Sequence, residues 1–233
     1  MALSERKYSP VQACLNRRFF AMNAIIAASI VLALFFPISG TVERFVLAFS
    51  TYFLLPAVFV RLVLREPLST FGFSWGKRGV FLNVALVVLS VCVFGLFVWG
   101  VLAGTSFGQA FLNVSRGAHA ALHSDFWVFL GSLGFLAWFV FLKEVFFRGF
   151  FLLFWKRYAY RWSLVAHFLL IAAVSTKELQ IFADSGSGVT FLFTIVWSVI
   201  ASILAFVTES VFVSFFFSLF SAILISVLAI SIS

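Results

Sequence analysis

Apolar runs of about twenty residues constrain this chain more than any other feature, because a helix needs that length to cross the roughly 30 Å hydrocarbon core of a bilayer. Seven such runs can be read, over residues 19–39, 45–64, 80–102, 126–155, 162–182, 189–207 and 210–232. Hydrophobic residues make up 64% of the 233, Phe alone accounting for 35, and the mean hydropathy is +1.16. Soluble domains hold about 45 to 50% apolar residues, so a polytopic membrane protein is expected. Backbone polar groups in lipid must be satisfied within the protein. Pro-poor runs of this length do that as helices, whereas a barrel would show short alternating strands. The predicted fold class is therefore all-α: a polytopic helical bundle of about seven transmembrane helices. Residues 1–18 read as a basic tail and residues 19–233 as a single transmembrane domain.

Charge placement predicts the orientation, since Lys and Arg collect on the cytoplasmic side. Arg6, Lys7, Arg17 and Arg18 precede the first run, Arg61, Arg65, Lys77 and Arg78 lie around the second-to-third connection, and Lys156, Arg157 and Arg161 fall in the fourth-to-fifth. Only Arg44, Arg116 and Lys177 fall on the opposite side. The chain is thus expected to be a multi-pass protein of a bacterial-type cell membrane, with its N-terminus in the cytoplasm. The net charge of +8 then reflects topology and attraction to anionic lipid, and nucleic acid is not an expected partner. The first run is read as an uncleaved helix. It exceeds the roughly 7 to 15 residue core of a signal peptide, and "FFPISGTVERF" lacks a small-x-small cleavage site. Cys14 and Cys92 form no CxxC pattern, and no disulfide is expected between them. The "STFGFSWGKRG" connection is expected to hold its Phe and Trp at headgroup level.

One stretch breaks the apolar pattern. Within "LKEVFFRGFF", residues 142–151, Lys143, Glu144 and Arg148 interrupt the fourth run. Glu144 and Arg148 are four apart, so on a helix they share a face and can form an ion pair. Twelve residues separate Glu144 from Lys156, roughly 18 Å at the α-helical rise, which places the pair near mid-bilayer. An isolated charge there costs about 2.5 to 3.5 kcal/mol on insertion scales, so the pair is expected to face a bundle interior or a wet cavity. Lys143 points about 100° away and either snorkels or meets another helix.

The run Lys143-Glu144-Val145-Phe146-Phe147-Arg148-Gly149 resembles a damaged copy of the EExxxRG signature of the CPBP family, the type II CAAX prenyl protease and bacteriocin-immunity group of intramembrane proteases. The resemblance covers residues 126–221, with "GFFLLFWKRY", "RWSLV" and "FVTESVFVSFFFSLF" following in the family's order. It implies a glutamate-dependent peptidase, in which the first Glu and the His of an FxxxH motif activate water, the second Glu and the Arg support the site, and a late HxxxN pair holds the oxyanion. Glu144 and Arg148 carry over as the supporting pair. Lys143 stands where the general base belongs, and an ammonium cannot accept the proton. In "LLIAAVSTKE", Ala172 and Thr176 occupy the FxxxH positions. In "VSFFFSLFSA", Phe217 or Ser218 stands for the late His, and Ser221 or Ala222 for the Asn. The resemblance thus implies a pseudoprotease with a binding or immunity-type role toward a membrane or prenylated peptide. Two alternatives stay open. One is an active endopeptidase using Glu144 with a displaced histidine, His167. The other is a small transporter subunit whose polar path Glu144, Arg148 and Lys143 would line.

The remaining polar residues read more plainly. His167 alone in the fifth run suits a helix-to-helix hydrogen bond. His119 and His123 have a spacing at which two imidazoles could share a metal, but only Asp125 stands near them, and neither a metal nor a cofactor is expected. Glu209 reads as a solvated turn acid. Ser214, Ser218 and Ser221 are spaced for close helix approach, and the Phe runs suit lipid-facing or packing surfaces.

Overall fold

The computed structural model describes residues 10–35, 41–76, 79–104, 126–180 and 187–231. All secondary structure among them is helical, with no strand. We number seven helices in chain order. Helix α1 is Pro10–Phe35, and α2 runs through Thr41–Phe49, a π turn at Ser50–Leu54, Leu55–Val58 and a second π turn at Phe59–Leu64. Helix α3 is Val80–Gly104. Helix α4 comprises Phe126–Glu144, a π segment at Val145–Leu153, and Phe154–Tyr158. Helices α5, α6 and α7 are Tyr160–Gln180, Ser187–Thr208 and Val211–Ser231. The chain divides into two compact units, Met1–Leu68 and Ser69–Ser233.

In the first unit, Met22, Ile26 and Ser29 are buried at helical spacing, so one face of α1 packs on α2. Pro56 interrupts α2's hydrogen-bond ladder because it has no N–H and its ring crowds the carbonyl four residues back. The helix continues through that point by widening into the π turns on either side. Arg65 then adopts left-handed backbone (φ 55°) and ends it, while the Glu66 N–H bonds back to the Val60 carbonyl at 3.1 Å.

In the second unit, α7 is central and packs on α3, α4 and α6. Val87, Phe94 and Val98 of α3, Ala201 and Leu204 of α6, and Val213 and Phe217 of α7 make a continuous core. The outer side of α3 is a sheet of large exposed apolar groups, among them Phe81 at 89% and Leu96 at 73% exposure. Among the described residues, two stretches are long and apolar enough to cross a membrane, Val46–Leu64 and Val80–Gly100. Trp162–Ala173, Ile195–Thr208 and Val211–Leu224 are apolar but shorter.

The connection between Ser69 and Gly76 departs from expectation. Phe71 is fully buried, not at a surface. It stacks on Phe154 with ring centroids 6.2 Å apart, and the Arg157 guanidinium lies 5.6 Å from its ring centroid. The reason is that the loop is laced to its neighbours through its own backbone. The Gly72 carbonyl accepts from Val211 N–H at 2.9 Å, Ser74 O accepts from Ser210 Oγ at 2.5 Å, Trp75 O accepts from Asn83 Nδ2, and Thr70 O accepts from Arg157 Nη2 at 2.6 Å. Gly72 permits this with φ +85°, where a β carbon would also stand 2.5 Å from Leu153 Cδ1.

Candidate functional site at Glu144 and Arg148

The sequence motif lies where α4 changes geometry. Glu144 is the last residue of the α segment, and Arg148 sits inside the nine-residue π segment, every side chain of which is buried. For "VFFRGFFLL" the choice between lipid-facing and packing surfaces therefore falls on packing. A π segment has wider turns than an α-helix, and such turns recur at functional sites. Gly149 lets neighbouring backbone close in, since a β carbon there would meet Phe71 O at 3.0 Å and Val211 Cγ2 at 3.1 Å.

Glu144 and Arg148 are 3% and 5% exposed. Arg148 Nη1 lies 3.0 Å from Glu144 Oε1, and the same oxygen accepts from Ser218 Oγ at 2.7 Å. Ser218 in turn accepts from Trp197 Nε1 at 3.1 Å. On the other side, Arg148 Nη2 reaches the Ser198 carbonyl at 3.4 Å. That carbonyl also accepts from Ser202 Oγ at 2.5 Å. Ser202 has one hydroxyl hydrogen and spends it there, so at 2.7 Å its oxygen accepts from His167 Nε2. The result is one buried polar chain across α7, α4, α6 and α5: Trp197, Ser218, Glu144, Arg148, Ser198, Ser202, His167. Glu144 Oε2, Arg148 Nε, His167 Nδ1 and Ser221 Oγ are buried without a hydrogen-bond partner among the described residues.

The predicted site residues divide accordingly. Glu144 and Arg148 pair as expected. Lys143 is half-buried with its ammonium 5.1 Å from the centroid of the Phe139 ring, one turn back on its own helix. His167 makes the helix-to-helix bond its isolation suggested, joining the polar chain at its far end. Thr176 lies on α5, but its side chain falls outside the described residues, as do His119, His123 and Asp125 altogether. Glu209 is a correction. It does occupy a turn, with left-handed backbone (φ 55°), but its carboxylate is ion-paired to Lys156 Nζ at 2.9 Å instead of being simply solvated. Trp197, Ser198 and Ser202 were not singled out from sequence. Their signal is slight: Ser198 and Ser202 interrupt the apolar run of α6, and Trp197 is one more large apolar residue within it. Ser218 carried a stronger one, since the CPBP resemblance puts either Phe217 or Ser218 at its late His position.

The fold and this site define an all-helical protein with a buried, hydrogen-bonded Glu–Arg pair at the centre of its larger unit. Comparisons with protein-family models, with curated proteins and with solved structures give no match.

Proposed function

We propose that this chain is a multi-pass membrane protein on a CPBP-type scaffold that has lost glutamate-dependent peptidase chemistry and binds a membrane-embedded or prenylated peptide without cleaving it. The observation that carries this reading is the immediate company of Glu144. Among the described residues its hydrogen-bonding neighbours are Arg148 and Ser218, and no imidazole is among them. A carboxylate held by a guanidinium and a hydroxyl can fix a polar group of a bound chain. Among the described residues it has no hydrogen-bonded imidazole with which to relay a proton from water. Lys143, at the place of the family's base, carries an ammonium over Phe139. The partnerless Glu144 Oε2 and Ser221 Oγ suit a peptide's amide groups.

Membrane residence underlies the proposal. Helix α2 and helix α3 have the length and apolarity to cross, and α3 presents large apolar side chains outward. We extend this to seven crossings with the N-terminus in the cytoplasm, on the strength of the seven apolar runs and the placement of Lys and Arg.

The test is incubation of the purified, micelle-embedded protein with prenylated and membrane-spanning peptides, reading both cleavage and retention. Retention without cleavage is expected. Cleavage abolished by Glu144→Ala but not by a control change at exposed Leu96 would overturn the proposal. That outcome would favour the second reading, an active endopeptidase, for which the presence of His167 on the same buried polar chain is the supporting observation.

A further inference from the structure

One well-formed cavity of the second unit lies away from Glu144. It has a volume of about 410 Å³ and lies at the other end of α4, against the 69–76 loop, the start of α5 and the turn between α6 and α7. Lys156, Arg157 and Glu209 are its charged lining residues, and Ser69, Ser74 and Tyr160 contribute hydroxyls. Two cations against one carboxylate leave it net positive. Lys156 has three N–H donors and commits two, to Phe206 O at 2.6 Å and to Glu209 Oε1 at 2.9 Å. Arg157 is held in place by its bond to Thr70 O and its position over Phe71. The cavity thus combines fixed positive charge, hydroxyl donors and a volume within the range of small-ligand sites, roughly 300 to 1,000 Å³.

Its surroundings indicate the depth at which it sits. Trp75, Tyr160 and Trp162 are exposed at 46%, 62% and 66%, and amphipathic rings of this kind collect where a membrane meets water. Basic residues beside such rings on the cytoplasmic side attract anionic headgroups.

We propose that this cavity is a binding site for a phosphate group, held by Lys156 and Arg157, with Glu209 as an internal competitor for the Lys156 ammonium. Either an anionic phospholipid headgroup or a soluble phosphate could supply the group. The site shares no residue with the Glu144 chain and does not depend on the pseudoprotease reading.

The experiment titrates the full chain, stripped of phospholipid in neutral detergent, with phosphatidylglycerol and with phosphatidylcholine, reading bound lipid by native mass spectrometry. A second arm titrates inorganic phosphate against chloride, reading thermal stability. Preferential retention of phosphatidylglycerol is expected. Arg157→Gln should weaken it about fivefold and Glu209→Gln should strengthen it about fivefold, the upper end for a partly exposed charge pair. A purely structural role for these residues would weaken binding in both variants or move neither. If phosphate binds with the same opposite responses while the two lipids bind alike, the site stands and the source is soluble. If Arg157→Gln does not fold, Glu209→Gln alone decides, because it keeps the turn and all other donors. No gain in that variant, in either arm, overturns the proposal.

Discussion

Removing one partner of the Glu144–Arg148 pair should harm this protein far more than removing both. The pair is almost wholly buried and its closest approach is 3.0 Å, so the direct attraction is about 5 kcal/mol at an effective dielectric near 20, before desolvation is subtracted. Among the described residues, Arg148→Met leaves Glu144 buried with Ser218 as its one donor, and Glu144→Leu leaves Arg148 with the Ser198 carbonyl as its one acceptor. Each single change is expected to cost about 3 to 5 kcal/mol, the usual result of stranding a buried charge. The double variant strands no charge, leaving only the Ser218 hydroxyl to find a new acceptor, and keeps similar volume. It should fall within about 1 kcal/mol of the parent, since well-packed apolar replacements of buried pairs are often neutral. The measurement is denaturant unfolding in micelles followed by Trp fluorescence, with Trp197, on the same polar chain, as a local reporter. A coupling energy of at least about 5 kcal/mol is expected from the cycle, from two single losses of about 3 or more and a double loss of about 1 or less. Additive losses, or single variants that lose less than about 1 kcal/mol, would refute the claim that these residues form one desolvated unit.

Other expectations follow from the same contacts. Ser218→Ala should destabilise by about 1.5 to 3 kcal/mol in the same unfolding assay, as a hydrogen bond to a buried carboxylate is lost. Gly149→Ala should cost about 1 to 3 kcal/mol by overpacking against Phe71 O and Val211, and a midpoint unchanged from the parent would count against that close approach. Lys143→Glu should leave peptide cleavage at background, because on the proposed CPBP resemblance Thr176, and Phe217 or Ser218, would still stand at the histidine positions. Recovery of cleavage by this one change would show that the later motifs are misaligned. Cys92 is exposed on α3, within the apolar stretch Val80–Gly100, and thiolate does not form in lipid, so in a Cys14→Ser background it should resist both a permeant and a charged maleimide in vesicles and react only after unfolding in detergent. Equal reaction with both would place α3 in water.

Helix positions were legible because apolar runs between charges or turn residues set them. Helix α3 begins at Val80 and α7 at Val211, at or beside the boundaries of runs 80–102 and 210–232. The i,i+4 pairing of Glu144 and Arg148 was equally legible, since spacing and rarity of charge both point to it. The π segment was not. Nothing in "VFFRGFFLL" distinguishes wide turns from α turns, because every residue there is apolar or needed by the pair, and no proline marks the change. The serines of α6 were also silent. Ser202 donates to the carbonyl four residues back, as a serine in any apolar helix can do. Only the tertiary placement of His167 turns it into a link. Phe71 misled for a physical reason: its headgroup placement assumed a loop free of the bundle, whereas backbone bonds from Val211, Ser210 and Arg157 draw that loop inward.

The π segment also changes a measure of distance. Over Val145–Leu153, most of the way from Glu144 to Lys156, the chain completes each turn with more residues than an α-helix uses, so it advances less per residue. The approximately 18 Å given by the α-helical rise is therefore an upper bound on their axial separation. The carboxylate is drawn toward the basic end of its helix, and a tethered probe anchored at Lys156 should need a shorter spacer to reach it than residue counting would suggest.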